Sequence, residues 1–293
     1  MLQKLFAAFL LTMLAAPAAF ADPLPVVVSI LPQQWLAEQV GGDKIYVHVL
    51  LAKGQEPHGM EPTPEQVTAL FRARLYFAIG LEFERGLLAK VEQAESKVQI
   101  VDTVAGIKKI SMTEHHDHDD HDGHDHEHGG LDPHVWLDPQ NLQKMAAVMA
   151  AALAKADLAN ATVYQENLQT VSKKLTALHE EISRKLAPFK GQSFLVFHPA
   201  FGYFANAYGL HQEAVEIEGK SPAPRQLYEL IAKAKREKVK VIFVQPQFDR
   251  KNAETIAQAI GGKVAALNPL AKNVPENLRF MAEEISSALG EKP

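Results

Sequence analysis

Short apolar runs alternate with amphipathic segments along almost the whole chain. Runs rich in Val, Ile and aromatic residues predict strands, and segments with apolar residues every three or four positions predict helices. The predicted strands are residues 26–31, 45–51, 75–79, 98–101, 194–197, 214–217, 239–244 and 264–267. A helical segment follows most of them, and Thr63 and Gln66 form a capping box at the start of one. This alternation is typical of parallel sheets with crossover helices.

One helix is predicted to be much longer than the others. Asn160 is expected to cap it, apolar residues recur at spacings of four and three from Tyr164 to Ile182, and Pro188 ends it. Roughly 27 residues at 1.5 Å each make a rod of about 40 Å, long enough to run along two domains. The prediction is two parallel-sheet α/β lobes, residues 22–158 and 189–293, joined by a linking helix at 159–188.

The start of the chain resembles a secretory signal. Residues 1–21 contain Lys4, an apolar run and a final Ala-Phe-Ala, which predicts a cleavable signal peptide. The chain has no cysteine to carry a lipid or form a disulfide. Losing Lys4 lowers the formal net charge of −5 by one unit, and this mild acidity gives no support to nucleic-acid binding. We expect a monomeric protein of the Gram-negative periplasm.

A histidine-rich, acidic segment divides the first lobe. Residues 114–130 are predicted to form a loop, because this composition cannot build a core and its side chains are metal ligands. Five aspartates and one glutamate alternate with histidines between positions 115 and 128. The accessory metal-binding histidines of this loop are His115, His116, His118, His121, His124, His126 and His128.

Three further histidines lie where strands are predicted to end, the edge at which open parallel sheets bind ligands. They are His58, His134 and His198, and each has a proline neighbour that stiffens its backbone. Three neutral imidazoles suit Zn(II), with a fourth position left to water or another oxygen. The remaining histidines, His48, His179 and His211, are interpreted as structural or exposed.

Several motifs, in order, resemble the cluster A-I metal-binding solute-binding proteins of ABC importers, and within them the ZnuA-type zinc proteins. They are Glu-Pro-His58 with the Glu-Pro-Thr-Pro after it, Asp-Pro-His134-Val-Trp-Leu-Asp-Pro, Phe-His198-Pro-Ala-Phe-Gly-Tyr-Phe, Ser-Pro-Ala-Pro-Arg-Gln-Leu and Val-Ile-Phe-Val-Gln-Pro-Gln-Phe. The resemblance implies two lobes on one backbone helix, and one metal held between them by His58, His134 and His198. It also implies that the protein captures Zn(II) as cargo, with high affinity, and delivers it to a membrane permease.

One position departs from the family pattern. Where the family usually has an aspartate as fourth ligand before Pro-Leu, this chain has Asn268. Because Mn(II) prefers carboxylate oxygens while Zn(II) accepts three imidazoles and water, the change favours zinc. Glu56 and the loop histidines are the other candidates for the fourth place.

Other interpretations stay open at this point. A manganese or iron solute-binding protein, or an adhesin of the same fold, would share the motifs. A zinc hydrolase would also use three histidines and a water, with Glu56 or Glu61 as its general base. The sequence contains no His-Glu-x-x-His motif, and we predict that the protein is not an enzyme.

Overall fold

The computed structural model describes residues 22–57, 60–112, 130–216 and 223–290, which contain two four-stranded parallel sheets. The first sheet has the order β2-β1-β3-β4, with β1 Leu24–Val28, β2 Ile45–Val49, β3 Leu75–Ala78 and β4 Gln99–Asp102. The second has the order β6-β5-β7-β8, with β5 Ser193–Val196, β6 His211–Ala214, β7 Val241–Val244 and β8 Lys263–Ala266. The predicted class, two parallel-sheet α/β lobes joined by a long helix, is confirmed.

The helices lie mostly between the strands, as the alternation predicted. They are α1 Leu31–Gly41, α2 Pro64–Arg72, α3 Glu84–Gln93, α4 Pro139–Ala156, α5 Ala161–Leu186, α6 Gly202–Tyr208, α7 Pro224–Arg236, α8 Arg250–Ile260 and α9 Val274–Gly290. None of the helices in the described ranges is both long and apolar enough to cross a bilayer.

Two predictions at element ends succeed or fail for local reasons. The capping box at α2 is confirmed, since the Thr63 side chain accepts from Gln66 N and the Gln66 side chain accepts from Thr63 N at 2.8 Å. Asn160 does occupy the N-cap position of α5, but its side chain makes no cap bond to the helix. Its side-chain amide instead donates to Asp157 Oδ2 at 2.7 Å, so the predicted capping bond is replaced by a bond to an upstream carboxylate.

The predicted strand at 214–217 is wrong in position. The strand is β6, His211–Ala214, which pairs with β5 in the register Ser193 to His211. It is an edge strand of mostly polar residues, so it carries no apolar alternation from which its position could be predicted. Its start follows from the end of the preceding helix, because Gly209 ends α6 in the left-handed conformation. His211 N then donates to Gln192 O at 3.0 Å, which begins the pairing with β5.

The long helix α5 packs against both lobes. It has 26 residues and contacts α1 and α4 of the first lobe, and α6 and α9 of the second. Its buried stripe belongs to one hydrophobic cluster that continues from the β1–β3 region into the α6 and α9 region. That stripe consists of Tyr164, Val171, Leu175, Leu178, Ile182 and Leu186. A second cluster fills only the outer face of the β5–β8 sheet. The two lobes therefore share one core.

We predict that the lobes move little when a metal binds, because bending α5 would break backbone hydrogen bonds and open the shared core. Small-angle scattering of metal-free and zinc-loaded protein should give radii of gyration within about 1 Å of each other. Compaction by several ångströms would contradict the prediction. As a comparison, Lys173→Pro should break the helix at an exposed position and increase the difference, whereas Lys173→Ala should not.

Candidate metal centre

Asp132 fixes the position of His134. Its Oδ1 accepts from His134 N at 2.8 Å, a turn typical of an Asp two residues upstream, and lies 2.7 Å from the ring Nδ1. Since a carboxylate accepts, Nδ1 carries the proton and donates. Asp132 is fully buried and His134 is only 3% exposed. The ring is therefore held through both its backbone and its Nδ1, and a metal would bind through Nε2.

His198 is held in the same way by the second lobe. It follows β5, and its Nδ1 lies 2.9 Å from Glu216 Oε2. Glu216 reaches this position because the β5–β6 pairing continues past the strands, with Glu216 N donating to Phe197 O at 2.9 Å. The ring also stacks on Phe248, with centroids 5.1 Å apart. Each lobe thus contributes one buried imidazole backed by a carboxylate, an arrangement that raises the basicity of the nitrogen facing a metal.

The two imidazoles meet at a small cavity between the lobes. Their centroids are 5.6 Å apart in an edge-to-face arrangement. Two imidazoles bound through Nε2 to one tetrahedral zinc at about 2.0 Å would place their centroids about 5 Å apart, close to this separation. The cavity has a volume of about 20 Å³, which is room for roughly one water-sized species. Its walls include Glu56, Pro57 and Gln245.

The other predicted site residues are distributed around this cavity. Pro57 lines it, while its neighbour His58 lies outside the described residues. Asn268 lies beside the cavity and lines an adjoining cleft of about 510 Å³. Its Oδ1 accepts from Leu270 N at 3.0 Å and from Gln247 Nε2 at 3.3 Å. Within the described ranges, no group of three or more His, Cys, Asp or Glu side chains could hold a metal ion.

The histidine-rich loop lies outside the described residues, but its two ends are described. Met112 N donates to Gly130 O at 3.1 Å, and Asp132 N donates to Ile110 O at 2.9 Å. Ser111 and Leu131 form an antiparallel bridge between these bonds. The loop therefore starts and ends at a paired base that includes Asp132, the residue whose carboxylate orients His134.

Trp136 joins the lobes next to the site. Its buried indole Nε1 donates to Pro269 O at 2.8 Å, and its ring lies 5.2 Å from that of His134. Pro269 also lines the metal cavity. One buried hydrogen bond of this kind contributes about 1 kcal/mol, but its larger role is to fix the spacing of the two halves of the site.

Lys109 adds a positive charge that interacts with Asp132. Desolvation by burial lowers the pKa of its ammonium group, and the attraction of the Asp102 and Asp132 carboxylates partly opposes that shift. Coulomb attraction between Lys109 and Asp132 thus partly balances the charge of this buried carboxylate.

Asp132, Glu216 and Gln245 are three residues of this site to which the sequence analysis assigned no role. Asp132 had a local signal, because an Asp two residues before a candidate ligand can bond its backbone and ring. Gln245 follows an apolar strand and so lies at the ligand-binding edge of its sheet. Glu216 is 18 residues from His198. Only the β5–β6 pairing brings the two together.

We predict that Gly202→Ala weakens metal binding without touching a ligand. A Cβ at Gly202 would lie 2.6 Å from Asp132 Oδ2, so the carboxylate that orients His134 must shift. Changes of this kind behind a metal ligand cost about 10–100-fold in affinity, which zinc calorimetry would measure. Gly86→Ala in α3 is the matched control, since a Cβ there contacts nothing within 4 Å. Equal affinities in both variants would contradict the prediction.

Comparison with known proteins identifies the family of the chain. The sequence profile of the family "Zinc-uptake complex component A periplasmic" matches residues 26–288. The high-affinity zinc uptake system protein ZnuA of Bacillus subtilis is 33% identical over 255 residues, covering 85% of this chain and 79% of that protein. The manganese ABC transporter substrate-binding lipoprotein PsaA of Streptococcus anginosus is 30% identical over 230 residues, covering 76% and 72%.

The fold has close structural relatives as well. A crystal structure of a zinc-bound ZnuA deletion mutant superposes with a TM-score of 0.84 and 35% sequence identity, covering 93% of this chain and 100% of that one. Proteins of this kind are substrate-binding components of importers and not enzymes, which removes the hydrolase interpretation. The chain belongs to the ZnuA family, the metal-binding substrate-binding proteins of ABC importers.

Proposed function

We propose that this protein captures Zn(II) with high affinity and delivers it to the permease of an ABC importer. The observation that carries the proposal is the pair of buried imidazoles, His134 and His198, that meet at an ion-sized cavity with their Nδ1 atoms engaged by carboxylates. His58, next to the cavity residue Pro57, is proposed as the third ligand. Together they would supply three neutral nitrogen donors, a set typical of Zn(II).

The choice of zinc over manganese rests on the oxygen donors. Mn(II) prefers carboxylate and other oxygen ligands, whereas imidazole suits Zn(II). At the family's fourth position this chain has the neutral Asn268, whose oxygen already accepts two hydrogen bonds. Glu56 lines the cavity and is proposed as the alternative fourth ligand. One carboxylate with three imidazoles still favours zinc.

The setting of the protein follows from the same proposal. We propose that residues 1–21 are a cleaved signal peptide and that the mature protein is a periplasmic monomer of a Gram-negative cell. The lobes would be residues 22–158 and 189–293, with 159–188 as the linking helix.

The cleft of about 510 Å³ shares Gln247 and Leu270 with the metal cavity, so it is a route by which an ion could enter and leave between the lobes.

The histidine-rich loop is proposed to bind additional zinc weakly. Its histidines are numerous but not preorganised, so each binding event must order residues at about 1–2 kcal/mol each in backbone entropy. His134 and His198 are already held in place. The aspartates of the loop add a negative field that attracts cations close to the site and that salt will screen.

Metal competition tests the proposed function. Protein purified without added metal should retain zinc, and Mn(II) in excess should fail to displace it, because the donors are mainly neutral nitrogens. Zinc calorimetry on His58→Ala, His134→Ala and His198→Ala, each in a variant that lacks residues 115–128, should show losses larger than the 10–100-fold expected for residues behind the ligands.

A matched histidine substitution controls for general effects. His211 is exposed at the start of β6, whereas His198 lies beyond the other end of β5, so His211→Ala should bind zinc normally. Unchanged affinity in one of the three site variants would remove that residue from the ligand set. Displacement of zinc by Mn(II) would favour the manganese alternative.

Deleting residues 115–128 should separate the loop from the site. We expect a zinc titration of the deletion variant to lose the weak sites and keep one tight site, and uptake in cells to fall only when zinc is scarce. The described base of the loop, from Ile110 to Met112 and from Gly130 to Asp132, stays intact in this variant. Loss of the tight site would instead identify a loop histidine as a ligand.

A further inference from the structure

We propose that Gln245 is a positioning residue of the metal site, whose side-chain oxygen holds a water molecule on the bound metal. The inference rests on the proposed metal-binding function and deepens it, because it assigns the metal's fourth ligand position to water and not to Glu56, the alternative named above. Gln245 follows β7, is 1% exposed and lines the metal cavity together with His134 and His198. Nothing in the motif that contains it distinguishes it from an ordinary buried glutamine.

The orientation of the Gln245 amide is fixed by its neighbour. Its Nε2 donates to His198 O at 2.8 Å. A backbone carbonyl can only accept a hydrogen bond, so the atom at this position must be the nitrogen. The amide oxygen is therefore the other terminal atom, and its position does not depend on an ambiguous assignment of the amide.

The oxygen is a buried acceptor that lacks a donor. Gln245 Oε1 is fully buried and has no hydrogen-bond partner among the described residues. Burying an acceptor in this way is unfavourable, so a donor is expected when the site is filled. The two neighbouring imidazoles are poor candidates for that donor. Each has its Nδ1 proton directed at a carboxylate, which leaves Nε2 as an acceptor or a metal ligand.

A metal-bound water meets this requirement. A metal ion has no proton to donate, but water coordinated to Zn(II) is a strong donor, and a zinc site with three protein ligands keeps a fourth position for water. Asn268 does not compete for this role, since its Oδ1 accepts from Leu270 N and Gln247 Nε2. The water would thus lie on the side of the cavity that Gln245 lines, and the Gln245 amide adds no charge to that side.

Two substitutions distinguish the role of the Gln245 side-chain oxygen from that of its amide nitrogen. Gln245→Met and Gln245→Glu both remove the donor to His198 O, but only the glutamate variant keeps an acceptor oxygen at this position. We expect Gln245→Met to bind zinc about tenfold more weakly, and Gln245→Glu to bind it at least as tightly as the wild type. Gln258→Met on the exposed face of α8 is the matched control and should bind normally.

The results discriminate between the possible roles. Equal weakening in both variants would show that Gln245 acts only through the His198 carbonyl and would overturn the proposal, as would normal zinc affinity in Gln245→Met. A crystal structure of the zinc-loaded wild type should show a water between the zinc and Oε1. Direct coordination by Oε1 at about 2.0–2.2 Å, or coordination by Glu56 in place of the water, would also overturn it. Tight zinc binding by the wild type in the same experiments keeps failure of this inference distinct from failure of the proposed function.

Discussion

The site depends on how firmly the two lobes are held against each other. A cavity of about 20 Å³ between two lobes keeps its geometry only if the lobes cannot slide, and each lobe carries one of the two described histidines that line it. The shared core around α5 resists large movements, because opening it would expose apolar surface. Next to the site, the Trp136 indole Nε1 donates to Pro269 O at 2.8 Å, and this bond fixes the local spacing of the two lobes.

The electrostatics of the site suit a divalent cation as cargo. Asp132 and Glu216 are withdrawn from water, which is unfavourable for carboxylates unless they are paired. Each is paired with an imidazole whose opposite nitrogen faces the cavity, so a bound cation would be stabilised by both carboxylates through the rings. The two imidazoles that line the cavity present nitrogen donors, which suit metals such as zinc, copper, iron and nickel.

The lobes repeat one topology but contribute differently to the site. Both sheets have a central pair of buried strands and place their carboxyl edges towards the cleft, and the starts of α2 and α7 share a Gln that accepts from the residue three positions before it. The first lobe supplies His134 from a segment that follows the base of the histidine-rich loop. The second supplies His198 from the segment just beyond β5, with Gln245 directly after the neighbouring strand β7.

The sequence by itself determined the elements with strong local signals. Strand–helix alternation, the Thr63 capping box and the spacing along α5 predicted the fold class. Proline-flanked histidines predicted one site of His58, His134 and His198, of which the described residues bring His134 and His198 together. These features depend on interactions between residues near in sequence, or on motifs. Tertiary structure alone decided the position of the polar edge strand β6 and the pairing of Glu216 with His198. It also decided the hydrogen bond between Trp136 and Pro269 and the burial of the Gln245 oxygen without a donor. Each of these depends on which strands and loops come into contact. The residue pattern of a short segment does not specify such contacts.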